Sequence, residues 1–189
     1  GPDAVRDLER ALGAILDSFN VGRNSILSAL FAPRIGHIVF AATKADHLHH
    51  SSHDRLEAVL RRAVAKAADR AEYAGAAIDV VALAAVRATR EATVARGREK
   101  LPSILGTPAP GEVANGEIFD GDTEVATFPG DLPDDPEELF KGSFRGLSST
   151  PSEQADFRFL RFRPPLLERV AGKEPALPHI RLDRALPFL

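Results

Sequence analysis

The tetrapeptide Thr43-Lys44-Ala45-Asp46 closes the apolar run from Ile35 to Ala42, and its residue types suit the edge of a purine. A carboxylate just beyond the carboxyl end of a strand can accept two hydrogen bonds from guanine, one from the ring N–H and one from the exocyclic amine. Adenine presents neither donor on that edge, so its ring lone pair would face the charge. An unpaired buried carboxylate costs about 1–3 kcal/mol, which makes Asp46 a selectivity element. The four-carbon stem of Lys44 can lie along the flat base while its ammonium stays solvated. Ligands of open α/β sheets sit outside the carboxyl ends of the strands, so the next strand is expected to add a second contact there. The small Ala84-Ala85 pair allows close backbone approach, and an amide N–H near Ala85 is expected to reach the guanine carbonyl.

The phosphate-binding half of such a site has no counterpart in these residues. No Gly-x-x-x-x-Gly-Lys-Ser/Thr segment occurs, and no Asp-x-x-Gly follows a strand. Phosphoryl transfer rests on cradling the phosphates, placing Mg and orienting water, and no residue here is assigned to those tasks. The chain is therefore expected to recognise a guanine nucleotide without hydrolysing it alone, and no catalytic residue is assigned. The absence of Met, Trp and Cys and a first residue other than Met lead us to expect a piece of a longer protein.

Two strands and a helix must position these residues. Ile35 to Ala42 reads as the first strand; Leu56, Val59, Leu60, Ala63, Val64 and Ala67 repeat at helical spacing up to about Tyr73. Ser51 and Asp54 have the form of a capping box, and Gly75 is placed to end the helix. Ile78 to Val86 is a second run of strand length, so the order strand, helix, strand predicts a parallel pair with a right-handed crossover. Upstream, Val5, Leu8, Leu12, Ile15, Leu16 and Phe19 form one face of an amphipathic helix from Asp3, which needs a surface to cover. A further helical piece is expected over Ile26 to Phe31.

Beyond Arg98 the chain turns rich in Pro, Gly and Asp. Glu117 to Phe119 and Glu124 to Phe128, separated by Asp120-Gly121-Asp122, predict a hairpin. Asp131 to Ser152 is expected to be a mobile loop, Phe157 to Phe162 a strand, and Asp183 the cap of a short last helix. The expected division is residues 1–98 for the base-reading α/β part, 99–155 for the Pro/Gly-rich hairpin and loop, and 156–189 for a strand and helix completing the domain.

The run Phe40 to Leu56, which contains Thr43-Lys-Ala-Asp-His-Leu-His-His, and the run Ile78 to Glu91 closely resemble the YcjX-like family of bacterial P-loop proteins. Gly116 to Gly121, Phe128 to Pro133, Phe159 to Pro165 and Leu177 to Leu186 resemble it as well, so the likeness covers nearly the whole chain. The resemblance implies the carboxyl-terminal part of a stress-associated, Ras-like GTPase carrying an added β-rich segment. It implies guanine recognition by Thr43, Lys44, Asp46 and Ala85, with GTP or GDP as ligand and Mg held by residues outside this chain. The phosphate loop, its Lys and the switch segments would lie upstream of Gly1, so that missing portion is the first partner.

The other constellations read more plainly. His47, His49, His50 and His53 fall within seven residues and imidazoles ligate zinc, but no Cys accompanies them and the spacing mixes loop with helix start. They are assigned to the nucleotide pocket or the helix start, and no metal is expected. Arg158, Arg161 and Arg163 alternate with Phe157, Phe159 and Phe162 as a strand with buried rings would; 24 Lys and Arg against 27 Asp and Glu give a net charge of -3, so no nucleic-acid partner is expected. Asp131, Asp134, Asp135, Glu137 and Glu138 read as a solvated acidic loop, and Arg87, Arg90 and Glu91, just past the second strand, are accounted for equally by contact with nucleotide or by a surface ion pair. With 189 residues and 44% hydrophobic content the chain can bury a core, and without an apolar stretch of membrane-spanning length or a signal pattern its expected location is cytoplasmic. A second reading, from another class, is a non-catalytic interaction protein that uses the face of the first helix and the Pro-rich segment to bind an unidentified protein partner.

Overall fold

In the computed structural model the described residues are 2–18, 35–114, 116–141, 160–167 and 176–186. Strand β1 (His37–Ala42) and strand β2 (Ala77–Ala82) pair in parallel, His37 opposite Ala77 and Ala42 opposite Ala82. Helix α2 (His53–Tyr73) connects them and packs on both. Its apolar positions lie on one face, so Val64 and Ala68 meet Phe40 of β1 and Val80 of β2 in a closed core. Helix α1 (Pro2–Asp17) lies along α2 and adds Leu12 to that core, which supplies the surface its amphipathic pattern requires. Opposite charges line the seam, with Glu9 3.3 Å from Lys66 and Asp17 2.8 Å from Arg70.

Several local expectations are corrected. The capping box is not formed: the chain enters α2 through a 3-10 turn (His50–Ser52), Ser52 precedes the helix in a helical conformation, and no side chain caps it. Ser51 instead meets the His49 ring, Oγ to Nδ1 at 2.9 Å. The other end follows expectation. Gly75, at φ 92°, donates to Glu72 O and Ala76 donates to Ala71 O, which pairs the last carbonyls of the helix.

β2 ends at Ala82, not at Val86, because its continuation finds another partner. Ala84 exchanges two backbone hydrogen bonds with Ile180, and Arg87 N–H donates to Pro178 O. Arg181, beside Ile180, pairs with Glu57 of α2, whose Oε1 also accepts from Ala82 N–H at 2.9 Å. Helix α4 (Leu182–Ala185) follows with Arg181 at its N-cap, so Asp183 lies inside the first turn and does not cap it.

The Pro-rich region carries an antiparallel sheet. β3 (Arg90–Arg96) and β4 (Glu99–Gly106) form a hairpin, and β7 (Val125–Thr127) pairs with the far side of β4. The boundary expected between residues 98 and 99 falls where the two-residue turn of this hairpin meets β4. β5 (Val113–Ala114) pairs with β6 (Glu117–Ile118), so the predicted hairpin between residues 117–119 and 124–128 is replaced by pairings with two different strands. The intervening turn explains the divergence: the Asp120 carboxylate accepts from the Thr123 hydroxyl and from Asp122 N–H and Thr123 N–H, two amides that a tight hairpin would present to its own ladder.

Those donors, the Asp122 amide foremost, pull the Asp120 carboxyl down to about 2 from an ordinary 3.8. A depressed carboxylate gives its full contribution above its unfolded value and loses it as pH falls through about 2. The turn is therefore expected to persist through mild acid, with an NMR titration of the Asp120 carboxyl giving a midpoint near 2; a midpoint near 4 would contradict these contacts.

The acidic loop is corrected in its described part. Arg55 reaches Asp131 at 3.1 Å and Asp134 at 2.8 Å, Arg62 pairs with Glu137, and the Arg62 guanidinium lies 4.6 Å from the centre of the buried Phe140 ring in helix α3 (Glu137–Lys141). Asp131, Asp134 and Glu137 thus meet arginines of α2, and residues 137–141 form a helix where a loop is expected. Phe162 forms a bridge with Pro108, Arg161 pairs with Glu112 at 2.7 Å and Arg163 with Asp122 at 2.8 Å. The expected helical piece over residues 26–31, residues 157–159 of the expected strand and the rest of the loop up to Ser152 lie outside the described residues. No helix among the described residues is long and apolar enough to cross a membrane.

Candidate functional site

β1 and β2 end side by side, and the segments leaving them are laced together. Leu83 N–H donates to Ala42 O, and Ala45 N–H donates back to Leu83 O at 3.0 Å. This places residues 43–46 against the carboxyl end of β2. Ala45 is fully buried, and its carbonyl accepts from the ring of buried His53 at 2.9 Å, which puts the proton on Nε2 of that histidine. Lys44 is forced into the left-handed region, φ 60° and ψ 36°, unusual for a residue with a side chain. It is exposed, and its ammonium has no partner among the described residues; Thr43 is likewise exposed.

Asp46 is only 4% exposed. Its Oδ2 accepts from Ala88 N–H at 2.9 Å, and its own carbonyl accepts from the hydroxyl of buried Thr89. Oδ1 has no donor among the described residues, so only one of the two carboxylate oxygens is anchored. Ala85 projects between two tail contacts, Ala84 to Ile180 and Arg87 to Pro178; it is exposed, and its N–H has no partner among the described residues. Thr43, Lys44, Asp46 and the 84–89 segment thus share one end of the parallel pair.

Ala88 and Thr89 were missed from sequence. They follow β2 by a short loop, and nothing in their type or spacing marks them as supports for a residue some forty positions earlier. The four histidines divide. His53 is structural; His47 stands edge-on to Phe162 at 5.3 Å between centroids, and burial, opposed by Asp46 and reinforced by Lys44, holds it below its ordinary value and so favours its neutral form. His49 and His50 face Glu91 of β3. Of Arg87, Arg90 and Glu91, the first and last form an ion pair at 3.1 Å, while Arg90 pairs with Glu124 at 2.8 Å. A groove of about 450 Å³ lies elsewhere, between α1 and α2, but Lys66 and Arg70 on its wall are already paired with Glu9 and Asp17.

Gly106 links this site to the β-rich part. A Cβ there would lie 2.8 Å from the Phe162 ring and 3.2 Å from the Thr89 methyl. Gly106→Ala is therefore expected to destabilise by about 1–3 kcal/mol, as overpacking does, and to loosen Thr89 beneath Asp46. Urea denaturation checks it; an unchanged midpoint would show that ring and methyl yield freely.

The structure is that of a mixed α/β protein with one parallel and two antiparallel sheets among the described residues, and its candidate site lies at the carboxyl ends of the parallel strands. The whole chain, residues 1–189, matches the "YcjX-like family, DUF463", and the chain belongs to that family. It is 32% identical over 190 residues to the "Ras-like GTPase YcjX" of Escherichia coli K12, and 29% identical over 190 residues to the protein of the same name from Shewanella oneidensis. All of this chain is covered in both comparisons, against 36% and 35% of the relatives, so it spans little more than a third of their length.

Proposed function

We propose that this chain is the base-reading, carboxyl-terminal part of a Ras-like GTP-binding protein, in which Thr43, Lys44, Asp46 and Ala85 bind guanine while the phosphates and Mg are held by residues outside the chain. The observation that carries the reading is the buried Asp46 carboxylate at the strand end, with one oxygen fixed by Ala88 and the other without a donor among the described residues. Exposed Lys44 beside it would offer its apolar stem to the base face, and the exposed Ala85, whose N–H has no partner among the described residues, would supply the donor to the guanine carbonyl. GTP hydrolysis to GDP is a property of the longer protein, since phosphate cradle, Mg and attacking water all need residues of other kinds. The names of the relatives support this assignment, and the share of their length covered fits a carboxyl-terminal portion.

The test is displacement of fluorescent GDP from the full-length protein by unlabelled nucleotides. GDP and GTP are expected to compete and ADP to fail, because adenine has no donors for Asp46; equal competition by ADP would remove the guanine assignment. The second reading, a cytoplasmic interaction protein without catalysis, draws on Leu8 and Ile15, each about half exposed on α1. Failure of the full-length protein to bind any nucleotide would favour it.

A further inference from the structure

Glu91 stands near the start of β3 with its two oxygens divided between different neighbours. Oε1 accepts from Arg87 Nη2 at 3.1 Å, while Oε2 lies 2.9 Å from Nδ1 of His50. Behind His50 stands the His49 ring, its centroid 4.3 Å away and tilted by 38°. One ligand atom from each of His49, His50 and Glu91 falls within a span of 4.8 Å. An ion pair with Glu91 needs one imidazole; the second is what distinguishes this cluster. His49 is also held in place: its Nδ1 meets Ser51 Oγ at 2.9 Å and Ser51 N–H at 3.3 Å. Because Nδ1 accepts from Ser51 N–H, the neutral ring carries its proton on Nε2; a cation bound at Nε2 moves that proton to Nδ1, which then donates to Ser51 Oγ and gives up the Ser51 N–H contact.

We propose that His49, His50 and Glu91 form a binding site for a divalent transition-metal cation of the zinc type, which fastens the loop after Asp46 to the first strand of the β3–β4 hairpin. Two imidazoles and one carboxylate make a borderline donor set that suits zinc, whereas Mg and Ca favour oxygen donors throughout. Bonds of about 2.0–2.2 Å in tetrahedral geometry put neighbouring ligand atoms about 3.4 Å apart, so the His50–Glu91 contact opens slightly and the wider contacts close. The cation takes the place of the proton shared between His50 and Glu91. The exposure of His50 leaves a fourth position for water, and the Arg87 charge on the other Glu91 oxygen opposes the cation, so moderate rather than tight affinity is expected. The four-histidine run alone shows no such site, because its third ligand comes from β3. The inference does not depend on the nucleotide assignment.

Calorimetric titration of ZnCl2 into tag-free, chelator-treated, nucleotide-free full-length protein tests it, with MgCl2 and unfolding temperature run in parallel. A saturable zinc isotherm is expected, with a rise in unfolding temperature that Mg does not reproduce. His49→Ala and Glu91→Gln should each weaken zinc at least tenfold, while His179→Ala, an exposed histidine outside the cluster, leaves it unchanged. Zinc binding that neither cluster variant moves, or no saturable binding, would overturn the site.

Discussion

Asp46→Ala in the full-length protein is expected to weaken GDP by about 100-fold. Two hydrogen bonds from guanine to a carboxylate contribute about 1.5–3 kcal/mol each, and water entering the truncated site returns part of that, leaving a net loss of about 3 kcal/mol. The variant also strips Ala88 N–H of its acceptor, so some loss of stability accompanies the loss of affinity. Asp46→Asn separates the two effects. Its amide oxygen can still accept from Ala88, while its NH2 turns donors toward the donors of guanine. Unfolding temperature should then stay near that of the parent while GDP binding falls as far as in the alanine variant. Affinity within twofold of the parent in both variants would sink the role given to Asp46.

Phe40→Ala should have the largest effect on stability, about 3–5 kcal/mol, the range for removing a buried phenylalanine and leaving a cavity. Phe40 lies where β1, β2 and α2 converge, against Val64, Ala68 and Val80, with Leu12 of α1 closing the cluster. Few neighbours there can move inward, because Val64 and Val80 are each 1% exposed and already packed on all sides. A lowered urea midpoint with an unchanged slope would match; a loss below about 1 kcal/mol would show that the site collapses around the smaller residue. Since Phe40 lies three residues before Thr43, nucleotide affinity should fall with it.

The parallel half of this fold was legible because its signals are local and strong. A β-branched run, a long helical period and Gly75 place β1, α2 and β2 in the right order, with Asp46 four residues beyond the end of β1. The overextension of β2 to Val86 has a long-range cause: Ala84 looks like strand residue in any window, but Ile180 decides its pairing. The β3–β4 hairpin escaped notice for two reasons. Arg90 to Arg96 has little apolar alternation, and Pro102 argues against a strand, though it sits in β4 opposite Thr93. Gly97 was the available clue, the first of two turn residues and at φ 65°, where hairpin turns favour glycine. The support of Asp46 by Ala88 and Thr89 left no trace in spacing, and the same is true of the arginines of α2 that neutralise Asp131, Asp134 and Glu137.

The pairing of Ala84 with Ile180 also bears on how the protein is made. The segment that shapes the β2 exit emerges from the ribosome nearly a hundred residues after β2 itself, and at about 5–20 residues per second that is an interval on the order of 5–20 s. For that time the loop bearing Ala85 and Ala88 lacks its last neighbour, and Glu57 awaits Arg181. Nascent chains stalled before Pro178 would therefore leave this end of β2 without the partner that the finished fold gives it.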